Sequence, residues 1–142
     1  MEGHELLYLC LHGLPGQPYW YGGDWSTALS ADQIRDAYLD GAIVYAAGCF
    51  GLGQIAAALV QSRAACVVGD RDSTFSGYLA PVGSNGLGRL FVRALRKGAT
   101  AGGAIEAAKW EYLKRHDSPR DYAMCASVAI VGDRTARLPG GG

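Results

Sequence analysis

Charge of one sign is the first thing the chain lacks. Thirteen Lys and Arg face thirteen Asp and Glu, for a formal net charge of zero. A role driven by bulk attraction to nucleic acid or to a membrane surface is not expected from such a balance. Long apolar runs are missing too: although 49% of residues are hydrophobic, none of the runs reaches the ~18 residues of a spanning helix. The N-terminal stretch MEGHELLYLCLHG has no basic region ahead of its short apolar part, so it does not read as a secretory signal. The expectation is a soluble, cytoplasmic protein. Cysteine is scarce as well. The four residues Cys10, Cys49, Cys66 and Cys125 form no C-x-x-C pair and no Cys/His cluster, which argues against a structural zinc site. Cys10, Cys66 and Cys125 lie inside apolar runs and read as small core hydrophobes.

What is present has the pattern of one α/β domain. Four apolar runs, 5–11, 42–47, 64–69 and 126–132, are near-continuous rather than alternating, as buried strands covered on both faces are. Helical patterns separate them. Residues 30–40 open with the capping box Ser30 and Gln33 and stop at Gly41. Residues 53–62 are rich in Ala, 86–97 place Leu87, Leu90, Phe91 and Leu95 on one face, and 100–115 begin at Thr100. Strands alternating with helices predict a three-layer α/β/α sandwich with a mostly parallel sheet. The domain is read as residues 1–139, with 140–142 a flexible glycine tail. Two loops, 13–29 and 70–85, leave the C-terminal ends of strands, where open α/β sheets place their sites.

His12 ends the first run and is followed by Gly13; Cys49 follows the second run, within Ala47-Gly48-Cys49-Phe50-Gly51. Neighbouring strands lie ~4.8 Å apart, close enough for both side chains to project over one crevice. A thiol next to a helix start feels the positive end of the helix dipole. An imidazole beside it can accept the thiol proton and later deliver it to a leaving amine. Backbone N–H groups of Gly13 and Cys49 are the candidate oxyanion donors.

The segments LLYLCLHG, SADQIRDAYLDGAIVYAAGCFGLG, LGRLFVRALRKGATAGGAIEAAKWEY and DYAMCASVAIVGD, in that order, resemble the CHAT-type caspase-like cysteine peptidases, which are related to gingipain-like and separase-like folds. The resemblance covers most of the chain. It implies a caspase-like fold, a Cys-His dyad at Cys49 and His12, and peptide-bond hydrolysis through an acyl-enzyme, with no metal and no cofactor. Two differences stand out. The family has further strands before the His strand, so this chain lacks the usual first strands, and strand 5–11 becomes an edge open to a partner chain or to a homo-oligomer. The segment after the third strand reads Gly69-Asp70-Arg71-Asp72-Ser73, without the Trp usual there.

Asp70, Asp72 and Trp20 are the candidate substrate contacts. A carboxylate in the pocket selects a basic P1 side chain, whereas Arg71 and Arg89 would select an acidic one. Two other readings of the chain are open: a non-catalytic caspase-like interaction module, and a dinucleotide-binding α/β domain. The latter would use Gly51-Leu52-Gly53-Gln54-Ile55-Ala56 for the pyrophosphate and Asp70 for a ribose. Neither nucleic acid nor a membrane is an expected partner; a peptide or protein substrate is.

Overall fold

The computed structural model describes residues 5–77 and 80–140. Along the chain run β1 (Leu6–Cys10), β2 (His12–Gly13), β3 (Tyr19–Tyr21), β4 (Thr27–Ser30), α1 (Ala31–Arg35), β5 (Ile43–Ala47), α2 (Gln54–Gln61), β6 (Cys66–Asp70), α3 (Gly83–Arg96), α4 (Ala101–Leu113), α5 (Pro119–Ser127) and β7 (Val128–Gly132). The main sheet has the order β1-β5-β6-β7. β1, β5 and β6 are parallel, and β7 runs antiparallel to β6. The four expected strands are therefore present in a mostly parallel sheet. Both faces of the two central strands are covered, so every residue of β5 and β6 is buried.

Strand alternation divides the core in two. Ile43, Tyr45, Ala47, Cys66 and Val68 point to one side and pack with Leu87, Phe91 and Leu95 of α3, with α4, and with Met124 and Cys125 of α5. Val44, Ala46 and Val67 point to the other and pack with Trp20, Ile34 of α1, and Ile55 and Leu59 of α2. The result is helices on both faces of one sheet. No helix among the described residues is long and apolar enough to cross a membrane.

Several boundaries differ from expectation for identifiable reasons. The Ser30–Gln33 capping box forms as read, but α1 ends at Arg35. There the end of α2 holds the chain: Ser62 Oγ donates to the Ile34 carbonyl at 2.7 Å, and the Leu39 amide, past the helix, donates to the Ser62 carbonyl at 3.2 Å. Loop 13–29 folds into a small antiparallel sheet, β2-β3-β4. The segment after α4 is a further helix, α5, started by Pro119 in its first turn and by a capping box between Ser118 and Asp121. Of the expected tail, only Gly140 is described, in a turn at φ 72°; 141 and 142 lie outside the described residues.

α3 lies close against the sheet at Gly88. A Cβ built there would stand 2.5 Å from a Tyr45 ring carbon and 2.5 Å from the Tyr8 hydroxyl. Tyr45 is wholly buried and cannot move aside. Gly88→Ala is therefore expected to destabilise the fold by about 1–3 kcal/mol in urea unfolding, despite the better helix propensity of Ala.

Candidate functional site

The ends of three neighbouring parallel strands carry the chemistry-bearing residues: His12 just past β1, Cys49 just past β5, and Asp70 at the end of β6. What brings the first two together is an interlock of backbones. A Cβ on Gly13 would stand 2.0 Å from the Cys49 carbonyl oxygen, and a Cβ on Gly48 would stand 2.0 Å from the Leu11 carbonyl oxygen. Segments 11–13 and 48–49 cross in contact, and both crossing points admit only glycine.

Each side chain is then fixed from its own side. The His12 ring stacks on Trp25, centroids 4.7 Å apart and planes within 16°. Cys49 Sγ accepts from the Thr74 amide at 3.3 Å and donates to the Thr74 carbonyl at 3.5 Å. Trp25 (φ 63°) and Phe50 (φ 52°) are non-glycine residues in left-handed backbone, one stacked on the site histidine and the other following the site cysteine. Such conformations cost of order 1–3 kcal/mol and persist where surrounding structure enforces them. At Phe50 the enforcement is visible: its amide donates to the Asp72 carbonyl at 2.9 Å.

His12 and Cys49 line one cleft of about 500 Å³, together with Cys10, Tyr21, Phe75 and Asn85. No hydrogen bond joins the imidazole to the sulfur among the described residues; the ring rests on Trp25 and the sulfur on Thr74. The helix-dipole argument for Cys49 does not hold. α2 begins at Gln54 with Gly53 as its cap, and a turn separates it from Cys49.

The other sequence candidates part company. Trp20 is 4% exposed and belongs to the core with Ala31 and Ile34, so it is no cleft residue. The side chains from the same aromatic segment that reach the site are Tyr21 and Trp25. Asp72 is exposed and caps its own turn, its Oδ1 accepting from the Ser73 amide at 2.8 Å. Arg71 spends its guanidinium on the carbonyls of Ser127 and Ala126, and Arg89 lines a different cavity. Arg71 is thus committed elsewhere and Arg89 faces another cavity, so neither cation that would favour an acidic P1 lines the cleft. Cys10, read as core, is exposed and lines the cleft, because β1 is an edge strand and turns alternate residues outward. Burial pushes the thiols of Cys66 and Cys125 up to about 12 and about 11, in keeping with a packing role.

Asp70 is fully buried. Its carboxylate faces the hydroxyls of Thr74, Ser127 and Ser84, none of which closes a hydrogen bond of normal geometry to it. Burial pushes its pKa up to about 6, against the pull of those hydroxyls and of the Lys109 ammonium. Thr74 and Asn85, neighbours of this cluster in space and in sequence, line the cleft, so the carboxylate lies behind the cleft wall. Any ligand of Asp70, a ribose or a substrate side chain alike, reaches it only by displacing that wall.

Protein-family models do not match the chain, and neither do curated proteins. Among solved structures, the chain is similar to gingipain R (RgpB), an Arg-specific cysteine proteinase, with a TM-score of 0.74 at 11% identity over 96% of this chain and 34% of that one. The chain thus spans about a third of the length of that proteinase. At this identity the likeness concerns the fold, and the fold is caspase-like: a mostly parallel sheet between helices.

Two predictions follow from this geometry. Gly48→Ala should cost about 3 kcal/mol or more in urea unfolding, because its methyl meets backbone. Gly23→Ala, where a Cβ meets nothing within 4 Å, should stay within about 0.5 kcal/mol. The second concerns pH. Asp70 holds its proton in the folded chain up to about pH 6, above its ordinary value of 3.8, so the stability it contributes is full below about pH 4 and is lost as pH rises through about 6. Asp70→Asn should remove that dependence, gaining up to about 3 kcal/mol on wild type between about pH 4 and 7 in urea unfolding at stepped pH.

Proposed function

We propose that the chain is a cysteine endopeptidase of CHAT type, with Cys49 as nucleophile and His12 as general base, cutting after a basic residue. The observation that carries the reading is the placement of His12 and Cys49 past the ends of two hydrogen-bonded strands, in one cleft, on a fold similar to that of a cysteine proteinase.

In this reading the His12 imidazole takes the Cys49 proton, and the thiolate attacks the scissile carbonyl carbon. The amides of Gly13 and Cys49 hold the resulting oxyanion. The C–N bond breaks as His12 returns the proton to the amine, leaving a thioester on Cys49. His12 then deprotonates a water that attacks the thioester, releasing the acid and restoring the thiol. His12 must leave its stack on Trp25 or tilt within it to reach the sulfur, and apo sites commonly tighten only on substrate binding. Asp70 supports the basic P1. It is a buried carboxylate without a hydrogen-bond partner of normal geometry among the described residues, next to a wall of the cleft, and a guanidinium would supply charge and two donors together.

The absence of a hydrogen bond between the imidazole and the thiol among the described residues favours a second reading, a non-catalytic interaction module on the same fold. Peptidyl electrophiles with Arg, Lys or Asp at P1 separate the two, read by mass spectrometry in a Cys10→Ser background that removes the other cleft thiol. The expected result is adduct at Cys49 with Arg and Lys probes. Its rate should fall about 100-fold or more in His12→Ala and about 10-fold or more for the Arg probe in Asp70→Asn. Cys49 reacting no faster than a free thiol would establish the interaction module instead.

A further inference from the structure

Two surfaces that no described residue covers meet on one side of the molecule. β1 is hydrogen-bonded to β5 alone among the described residues, so its outer side presents a row of backbone N–H and C=O groups with no strand beside them. Its sequence, Leu6-Leu7-Tyr8-Leu9-Cys10, holds no charge and no proline. Edge strands are ordinarily blunted by a lysine, a proline or a bulge, and β1 has none of these devices. Tyr8 is 39% exposed.

Beside this edge lies a cavity of about 740 Å³, lined by Tyr8 and by the outer face of α3. Arg89, Arg93 and Arg96 stand at i, i+4 and i+7 of α3, which places three guanidinium groups in one stripe. Lys97, and Arg115 from the end of α4, add to the same lining. The one carboxylate there, Glu111, is paired with Lys114 at 3.1 Å. None of the four arginines forms a salt bridge among the described residues. The dipole at the end of α3 accounts for cations in its last turn, but Arg89 stands in mid-helix. In a chain of zero net charge, this is a concentration of positive charge against an open, apolar strand edge.

We propose that this edge docks an acidic protein segment, which adds as a strand beside β1 and lays its carboxylates along the arginine stripe. Strand addition satisfies the open ladder of β1, and arginine takes carboxylates in bidentate pairs. Arg89 to Arg96 spans ~10 Å of helix, and alternate residues of a strand recur every ~7 Å on one face, so two acidic residues two apart in the strand lie within side-chain reach of the ends of the stripe. A second copy of this chain is the wrong occupant. Antiparallel pairing of two β1 edges about a two-fold axis would bring two arginine stripes together on one face of the joined sheet, and like charges there disfavour the pair. The proposal is independent of the peptidase reading, since neither His12 nor Cys49 takes part.

The test is fluorescence anisotropy with a labelled peptide of alternating Glu and Val, added to the full chain at about 50 mM and about 500 mM salt. Saturable binding is expected, weaker by about 10-fold or more at the higher salt and in the Arg89→Glu, Arg93→Glu, Arg96→Glu variant. If that variant misfolds by circular dichroism, the corresponding triple Gln variant replaces it, with the same expected loss. The same peptide methylated on alternate backbone amides should lose binding, which separates strand addition from attraction by charge. Sedimentation should find a monomer. Undiminished binding of the methylated peptide, equal binding of a Lys-Val peptide, tighter binding of a single-stranded oligonucleotide of equal charge, no binding at about 1 mM peptide, or a dimer lost in the Glu variant would each overturn the proposal.

Discussion

The contact on which the rest of the site depends is the crossing of two backbones at Gly13 and Gly48. Leu11–Gly13 leaves the first strand and Gly48–Cys49 leaves its neighbour, and each passes the other's carbonyl oxygen at a distance that no side chain permits. Parallel pairing of β1 with β5 in register from Leu6 and Ile43 to Cys10 and Ala47 delivers the two segments to that point. The crossing then sets His12 and Cys49 at one cleft before any side chain makes a contact of its own. The later restraints, Trp25 on the imidazole and Thr74 on the sulfur, act on residues already brought together.

Thr74 also ties the site to what lies behind it. Its backbone holds the Cys49 sulfur, while its hydroxyl faces the buried Asp70 carboxylate. Further along the same segment, the Phe75 carbonyl accepts from the Ser84 amide at 2.8 Å, and the Phe75 ring carries the Arg120 guanidinium 3.8 Å from its centroid. Thiol, cleft wall and buried carboxylate therefore form one connected body. A change in the charge of Asp70 is felt first at Ser84, Ser127 and Thr74, and through Thr74 at the sulfur.

The parts of this arrangement that were legible in the sequence are those with local signals. Fully buried strands such as β5 and β6 are continuous apolar runs, and His12-Gly13 and Gly48-Cys49 stand immediately beyond two of them. The Ser30–Gln33 cap was readable, whereas the end of α1 was not, because Ser62 from a distant element decides it. The β2-β3-β4 sheet escaped notice since strands of two to four residues carry too little alternation to register. α5 was hidden by its charges, although Ser118-Pro119 followed by Asp121 is a helix-start signal. Trp20, Asp72 and Cys10 were misplaced for a common reason. A loop sequence does not say which residues turn inward, and an apolar run does not say whether its strand is central or at an edge.

A peptidase with Cys49 as nucleophile must form a thioester between that residue and its substrate. The direct measurement is rapid acid quench of the protein with a peptide ester bearing Arg at P1, followed by mass spectrometry of the digested chain. The acyl mass is expected on the peptide containing Cys49, accumulating within the first turnover and absent in Cys49→Ala. An unmodified Cys49 peptide throughout, with the ester left intact or the acyl group on another residue, would contradict it.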